Sequence, residues 1–239
     1  MSESTRLSGL TCLVTGASRG IGRATAVALA ERGARVLAMA RSVDALQSLE
    51  RDCGAIAVVA DLADDTAVWT ALDEASEEFG GAPDVVVNAA GVFGVEACAS
   101  ESVRSFDEHL AINLRGPFLV TRSVLPAMLE RGSGLIVNIG SVAGRKAFPG
   151  NAAYSASKFG LRGFHEVLLE EIRGTGVRAS LIEPAATDTT LWDELDPDAN
   201  PNLPNRAEML TPEQVAAAVV FVVTRPDGVT VPHFAVERG

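Results

Sequence analysis

The chain is predicted to fold as a doubly wound α/β protein, a parallel sheet of about seven strands with helices on both faces. Short runs rich in Val, Ile and Leu recur at 11–15 (TCLVT), 35–40 (RVLAMA), 55–59 (AIAVV), 84–88 (DVVVN), 134–140 (GLIVNIG) and 177–183 (VRASLIE), and segments with helical spacing lie between them. Strands alternating with helices imply β-α-β units, and unbroken apolar strands imply a sheet covered on both faces. A glycine cluster, Gly16, Gly20 and Gly22, falls where the first strand meets the first helix.

Taken in order, TCLVT is the first strand, the glycines are the turn after it, and Ile21 to Ala30 supplies small apolar residues for a helix packed on the sheet. RVLAMA and AIAVV follow as strands two and three, and DVVVN leads into Asn88-Ala89-Ala90-Gly91. A helix is expected over roughly 103–130, with Asn113 as a polar residue in the apolar setting LAINLRGPF. A buried amide beside a kink near Pro117 is one role open to it. GLIVNIG ends at Ser141, and a helix over about 153–174 carries Tyr154 and Lys158. A last helix, about 212–224, starts with Thr211 as N-cap and Pro212 at its first position, and a seventh candidate strand lies near VTVPHFAV. Between the sixth strand and that helix, 185–210 is rich in Pro, Asn and Asp, as a substrate lid or a disordered loop would be.

At 239 residues and 47% hydrophobic, the chain suits one domain over its whole length. A net charge of −11 opposes general binding to nucleic acid or anionic lipid, since both select basic surfaces. No apolar run is long enough to span a membrane, MSESTRLSGL lacks a signal-peptide core, and Cys12, Cys53 and Cys98 suit a reducing compartment, so a cytoplasmic location is expected. Those cysteines and the isolated His109, His165 and His233 have no metal-ligand spacing, and no metal is expected.

The glycines have a physical reason. A tight turn needs backbone angles that glycine adopts cheaply, and a phosphate needs backbone N–H groups that no Cβ shields. The helix behind the turn adds its positive end. A turn that only joins strand to helix is the alternative, and its place at the first β-α junction favours the phosphate.

TGASRGIG, Thr15 to Gly22, has the spacing T-G-x-x-x-G-x-G. It resembles the short-chain dehydrogenase/reductase family, in its short single-domain branch, and so implies a Rossmann-like sheet and a nicotinamide cofactor. The resemblance makes Thr15, Gly16, Ser18, Arg19, Gly20, Ile21 and Gly22 cofactor-binding, and adds Asp61 with Leu62 against the adenine, Asn88, Ala89 and Gly91 in the cofactor floor, and Pro184, Thr187 and Thr189 after the sixth strand. For Asp61, capping the helix that starts near Asp64 is the alternative. An NAD enzyme needs a carboxylate at the end of the second strand, where this chain has Ala40 followed by Arg41. With Arg19 also present, NADP is expected; a solvated loop charge is the alternative for Arg41 alone.

Tyr154 and Lys158, four apart, share one helix face. An adjacent ammonium and an oxidised nicotinamide favour the phenolate, which suits Tyr154 to acid/base work. Alone such a pair is weak evidence, but Asn113, Ser141, Tyr154 and Lys158 are similar to the family's catalytic tetrad in identity and order. The resemblance implies hydride transfer between carbonyl and secondary alcohol, with Ser141 and Tyr154 on the substrate oxygen, Lys158 on the nicotinamide ribose and Asn113 holding a water. Leu191 and Trp192 are candidate substrate contacts or lid packing. The chain departs from the family at Ala185, where glycine is usual, and in its C-terminus.

A small carbonyl or alcohol substrate, uncharged or cationic, is expected, because Asp188, Asp193, Glu194, Asp196 and Asp198 would give the lid an acidic rim. A 3-oxoacyl-carrier-protein reductase with Arg131 and Arg173 as docking residues is the main alternative, and these arginines also suit ordinary helix ends. A non-catalytic NADPH sensor and a sugar-nucleotide epimerase are further alternatives. The resemblance makes helices 103–130 and 153–174, the second with Phe159, Phe164, Val167 and Leu168, the oligomer faces, so a homo-oligomer, dimer or tetramer, is expected; service in the monomer core alone is the alternative for these residues.

Overall fold

The computed structural model describes residues 7–239. Seven parallel strands form one sheet in the order β3-β2-β1-β4-β5-β6-β7. They are β1 (Thr11–Thr15), β2 (Arg35–Ala40), β3 (Ile56–Val59), β4 (Val85–Asn88), β5 (Gly134–Ile139), β6 (Val177–Pro184) and β7 (His233–Val236). Their helices are α1 (Gly20–Ala30), α2 (Val43–Cys53), α3 (Asp65–Phe79), α4 (Val103–Leu110), α5 (Gly116–Arg131), α6 (Ala152–Glu171) and α7 (Pro212–Val223). The doubly wound sheet read from the alternation is therefore the fold observed.

Strand periodicity sorts the core into two layers. Cys12, Val14, Val36, Ala38, Val85 and Val87 face α1, α2 and α7, while Leu13, Leu37, Met39, Val58, Val86 and Ile136 face α3, α5 and α6. Each fully buried Leu or Ile contributes about 1.5–3 kcal/mol. Helix starts are chemically marked: Ser42, Asp64, Ser102 and Thr211 each accept a backbone N–H, and Thr211 forms a capping box with Gln214.

Three expectations need correcting. The helix expected over 103–130 is interrupted by a π turn, Ala111–Arg115, and apolar spacing did not show it because both flanks keep helical direction. The seventh strand begins only at His233. Leu168, expected on an oligomer face, is core, and Phe164 packs on the α3–α5–α6 layer and meets Phe118 edge-on at 5.8 Å. Phe159 and Val167 are exposed. No described helix is long and apolar enough to cross a membrane.

Strand order reverses between β1 and β4, and a cleft of about 1550 Å³ lies there, bordered by residues at the C-terminal ends of the strands. Open α/β sheets bind ligands at such a switch point.

Candidate active site

At the end of β1 the chain turns on Gly16, with φ +67°, and a Cβ there would lie 2.5 Å from Ala90 Cα. A Cβ on Gly22 would strike the Gly16 carbonyl at 2.3 Å, and one on Gly20, with φ +53°, would crowd Thr189 Cγ2 at 3.1 Å. Three glycines are therefore needed for the turn to lie against the β4 loop and the strand to enter α1. The Ala17 N–H donates to Met39 O at 3.2 Å, tying the turn to β2. The result is a groove of backbone leading onto the N-terminus of α1, suited to a pyrophosphate.

Gly16, Ser18, Arg19, Gly20, Ile21, Gly22, Arg41, Asp61 and Leu62 border one half of the cleft, together with Ser42, which the sequence did not single out. Ala89, Gly91, Ser141, Tyr154, Lys158, Pro184, Thr187, Thr189, Leu191 and Trp192 border the rest. Thr15, Asn88 and Asn113 lie behind the cleft wall, all nearly inaccessible. Thr15 Oγ1 accepts from Ala89 N and Ala90 N, so its work is to join the ends of β1 and β4. Asn88 Nδ2 donates to Asn138 Oδ1 at 2.9 Å, across neighbouring strands.

Asn113 sits in the π turn, which aims its amide at the loop after β4. Its Oδ1 accepts from Val92 N at 2.8 Å, and its Nδ2 donates to Val92 O and to Ser157 Oγ, both at 3.0 Å. Ser157 Oγ donates in turn to Tyr154 O at 2.6 Å. The amide thus joins the loop after β4 to the helix bearing Tyr154, and its bonds run to Val92 and Ser157, not to a kink at Pro117.

Ser141 caps the short 3-10 turn Val142–Gly144, its Oγ accepting from Ala143 N at 3.1 Å. A Cβ on Gly144 would meet Lys158 O at 2.9 Å, so glycine there lets this turn close on α6. Lys158 Nζ donates to Ile139 O at 2.9 Å and stands 5.7 Å from the Tyr154 ring centroid. Burial lowers its pKa to about 8. Burial raises the Tyr154 phenol, opposed by the Ser141 hydroxyl. In the free chain desolvation dominates and Tyr154 holds its proton; the phenolate is the expectation for the chain with oxidised nicotinamide bound.

Beyond the end of β2, Arg41 Nη1 lies 3.7 Å from Asp61 Oδ2, and Asp61 Oδ1 accepts from Ala63 N. Asp64, not Asp61, caps α3. The 185–210 segment is ordered by two 3-10 turns, Thr190–Leu195 and Arg206–Glu208. Ala185 N donates to Val236 O, so the alanine continues the pairing of β6 with β7.

Arg206 ties the lid acids together. Its guanidinium pairs with Asp188 and with Asp193, the latter at 2.7 Å, and its backbone N–H donates to Asp198 Oδ1. Three of the five acids are thus occupied within the segment. A lone cation among those acids was the signal available in the sequence. The proposed docking arginines are also engaged: Arg131 donates to Ala82 O and Pro83 O, and Arg173 pairs with Glu170. Phe93, two residues beyond the Asn88–Gly91 segment, was missed although it borders the cleft.

The profile described as short chain dehydrogenase matches residues 10–200. The chain is 39% identical over 228 residues to the D-threitol dehydrogenase of Mycolicibacterium smegmatis, covering 92% of this chain and 87% of that protein. It is 35% identical over 232 residues to a 3-oxoacyl-[acyl-carrier-protein] reductase of Synechocystis, covering 93% and 92%. The closed form of serine dehydrogenase complexed with NADP+ superposes with a TM-score of 0.87 at 31% identity, covering 95% and 94%. The protein belongs to the short-chain dehydrogenase/reductase family. It is an oxidoreductase of the kind that acts on alcohol and carbonyl substrates.

Proposed function

We propose that the protein is an NADP(H)-dependent oxidoreductase that interconverts a carbonyl compound and a secondary alcohol, with Tyr154 as general acid/base. The observation that carries this is the placement of Ser141, Tyr154 and Lys158 on one wall of the cleft that the glycine turn also borders. Thr15, Asn88 and Asn113 complete the site as positioning residues.

The cofactor fits the residues present: the groove kept open at Gly16, Gly20 and Gly22 takes the pyrophosphate, and Leu62 and Asp61 flank the adenine. When bound, the nicotinamide supplies or accepts hydride. Arg19 and Arg41 favour a 2′-phosphate. An exposed ion pair such as Arg41–Asp61 is worth about 0–1 kcal/mol, against about 1.5–3 kcal/mol for a charge-assisted hydrogen bond, so Arg41 can turn to the phosphate. The serine dehydrogenase neighbour, complexed with NADP+, supports the same choice.

In reduction, Ser141 Oγ and the Tyr154 phenol hold the substrate oxygen, and the phenol gives it a proton as negative charge develops there. The Lys158 ammonium stabilises the phenolate that remains and holds the nicotinamide ribose. In oxidation the proton moves the other way. The 185–210 segment acts as a lid that excludes water, with Leu191 and Trp192 facing the substrate.

The substrate is a small molecule. Asp188, Asp193, Glu194, Asp196 and Asp198 do not border the cleft, so the rim does not argue for a cationic one. The carrier-protein reading loses Arg131, which the Ala82 and Pro83 carbonyls hold, while the exposed Arg173–Glu170 pair leaves Arg173 free to turn; a sensor would have no need of an intact acid/base set. We further assign a cytoplasmic homo-oligomer, a dimer or tetramer, supported by exposed Val103, Phe118, Phe159 and Val167 on α4, α5 and α6. The test is turnover of NADPH and NADH against a panel of ketones and aldehydes. NADPH oxidation at the higher kcat/KM is expected; binding without turnover on every compound would favour the sensor.

A further inference from the structure

An aromatic series starts at the phenol. The Phe93 ring meets Tyr154 edge-on, with centroids 4.8 Å apart and planes at 79°, and meets Trp192 at 4.7 Å and 54°. Trp192 belongs to the 3-10 turn Thr190–Leu195, and all three rings border the cleft. The indole N–H is already committed, donating to Thr187 O at 3.1 Å. Phe93 and Trp192 therefore offer a ligand ring surface and no hydrogen bond.

Two other polar residues that border the cleft, Asn200 and Arg145, are already engaged. Asn200 Oδ1 accepts from Asn202 N at 3.1 Å, and Arg145 pairs with Glu237. A polyhydroxylated substituent against Phe93 and Trp192 would surrender hydrogen bonds to water and find no replacement there. A flat apolar group would instead bury surface against two rings without such a loss.

We propose that Phe93 and Trp192 form the subsite for an apolar, aryl-type substituent on the reacting carbon, and that this pair selects aryl alkyl ketones and their alcohols over polyhydroxylated compounds. The inference rests on the proposed carbonyl–alcohol chemistry for its kinetic form, and on the geometry of the two rings for its binding form. Phe93 bridges the catalytic phenol and the 185–210 segment, so its loss removes both the surface and the support of Trp192.

The kinetic test compares acetophenone with 1,3-dihydroxyacetone, using NADPH. The intact enzyme is expected to favour acetophenone by at least about tenfold in kcat/KM, and Phe93→Ser to lower that ratio by at least about tenfold. NADPH affinity, expected to stay within about twofold, controls for folding. A preference for dihydroxyacetone, or equal losses on both ketones, overturns the subsite. Binding is read separately. The chain has two tryptophans, and Trp69 is exposed on α3, so in a Trp69→Phe background the emission reports Trp192. With NADP+ present, 1-phenylethanol is expected to change that emission saturably and to bind at least about tenfold more tightly than threitol. Equal affinities, or no response to 1-phenylethanol, overturn the inference. A positive titration with no turnover of any compound would instead remove the proposed reaction and leave the subsite standing.

Discussion

The buried ammonium of Lys158 donates to the carbonyl of Ile139 at 2.9 Å, which holds a positive charge at the end of β5 beneath the Tyr154 ring. Because burial lowers the Lys158 pKa to about 8, charge on this group is costly, and it is lost as pH rises through that value. The same burial raises Tyr154, so the phenol keeps its proton at neutral pH. Reduction requires both groups protonated. Its kcat/KM is expected to be flat below pH 8 and to fall above it, measured as NADPH oxidation at saturating cofactor. Lys158→Arg, with a guanidinium that does not deprotonate in this range, should move the fall to higher pH from a lower plateau.

The glycine turn makes a paired prediction. Gly16→Ala places a Cβ 2.5 Å from backbone at Ala90 and forces a left-handed φ on alanine. It should cost about 2–4 kcal/mol of stability and abolish tight NADPH binding. Gly163, exposed within α6 with nothing near its virtual Cβ, should behave in the opposite way. Gly163→Ala is expected to stabilise by about 0.5–1 kcal/mol in thermal unfolding, with NADPH affinity unchanged.

Asn113→Ala would leave Val92 N, Val92 O and Ser157 Oγ without their buried partner. A loss of about 2–4 kcal/mol is expected in denaturant unfolding. Activity should fall with it, as the loop after β4 is no longer tied to α6. Asn113→Asp retains the acceptor but buries a charge, and should be no more stable than the alanine variant.

Arg206 holds Asp188, Asp193 and Asp198 around the 185–210 segment. Arg206→Ala leaves Asp188 and Asp193 unpaired, while Asp198 keeps the backbone N–H at 206, and it loosens Leu191 and Trp192. KM for the carbonyl substrate should rise by about tenfold or more while NADPH affinity changes little, in steady-state kinetics with each substrate varied. Raising the salt concentration should move the wild-type KM in the same direction, since exposed pairs are screened.

Strands and caps were legible because their signals are local. β1 and β2 match TCLVT and RVLAMA, and Thr211 caps α7 as its hydroxyl and the following proline imply. The residues bordering the cleft were legible in large part through the family resemblance, since Ser141, Tyr154 and Lys158 match its tetrad in identity and order, whereas the spacing of the Tyr154–Lys158 pair alone is weak evidence. What stayed hidden depends on distance through space. The π turn at Asn113 preserves helical direction, so periodicity passes through it. Thr15 and Asn88 act through the backbone of a neighbouring strand, which no spacing within one strand records. Arg206 reaches acids 18 and 13 residues away, and Phe93 gains its role only when the 185–210 segment sets Trp192 against it.

The central claim is that the Tyr154 phenol moves the substrate proton beside a bound nicotinamide. Tyr154→Phe tests it most directly, with NADPH oxidation by a ketone measured beside NADPH binding by fluorescence. The account predicts a rate at least about a hundredfold lower with binding preserved. An unchanged rate with the dinucleotide still bound would contradict it.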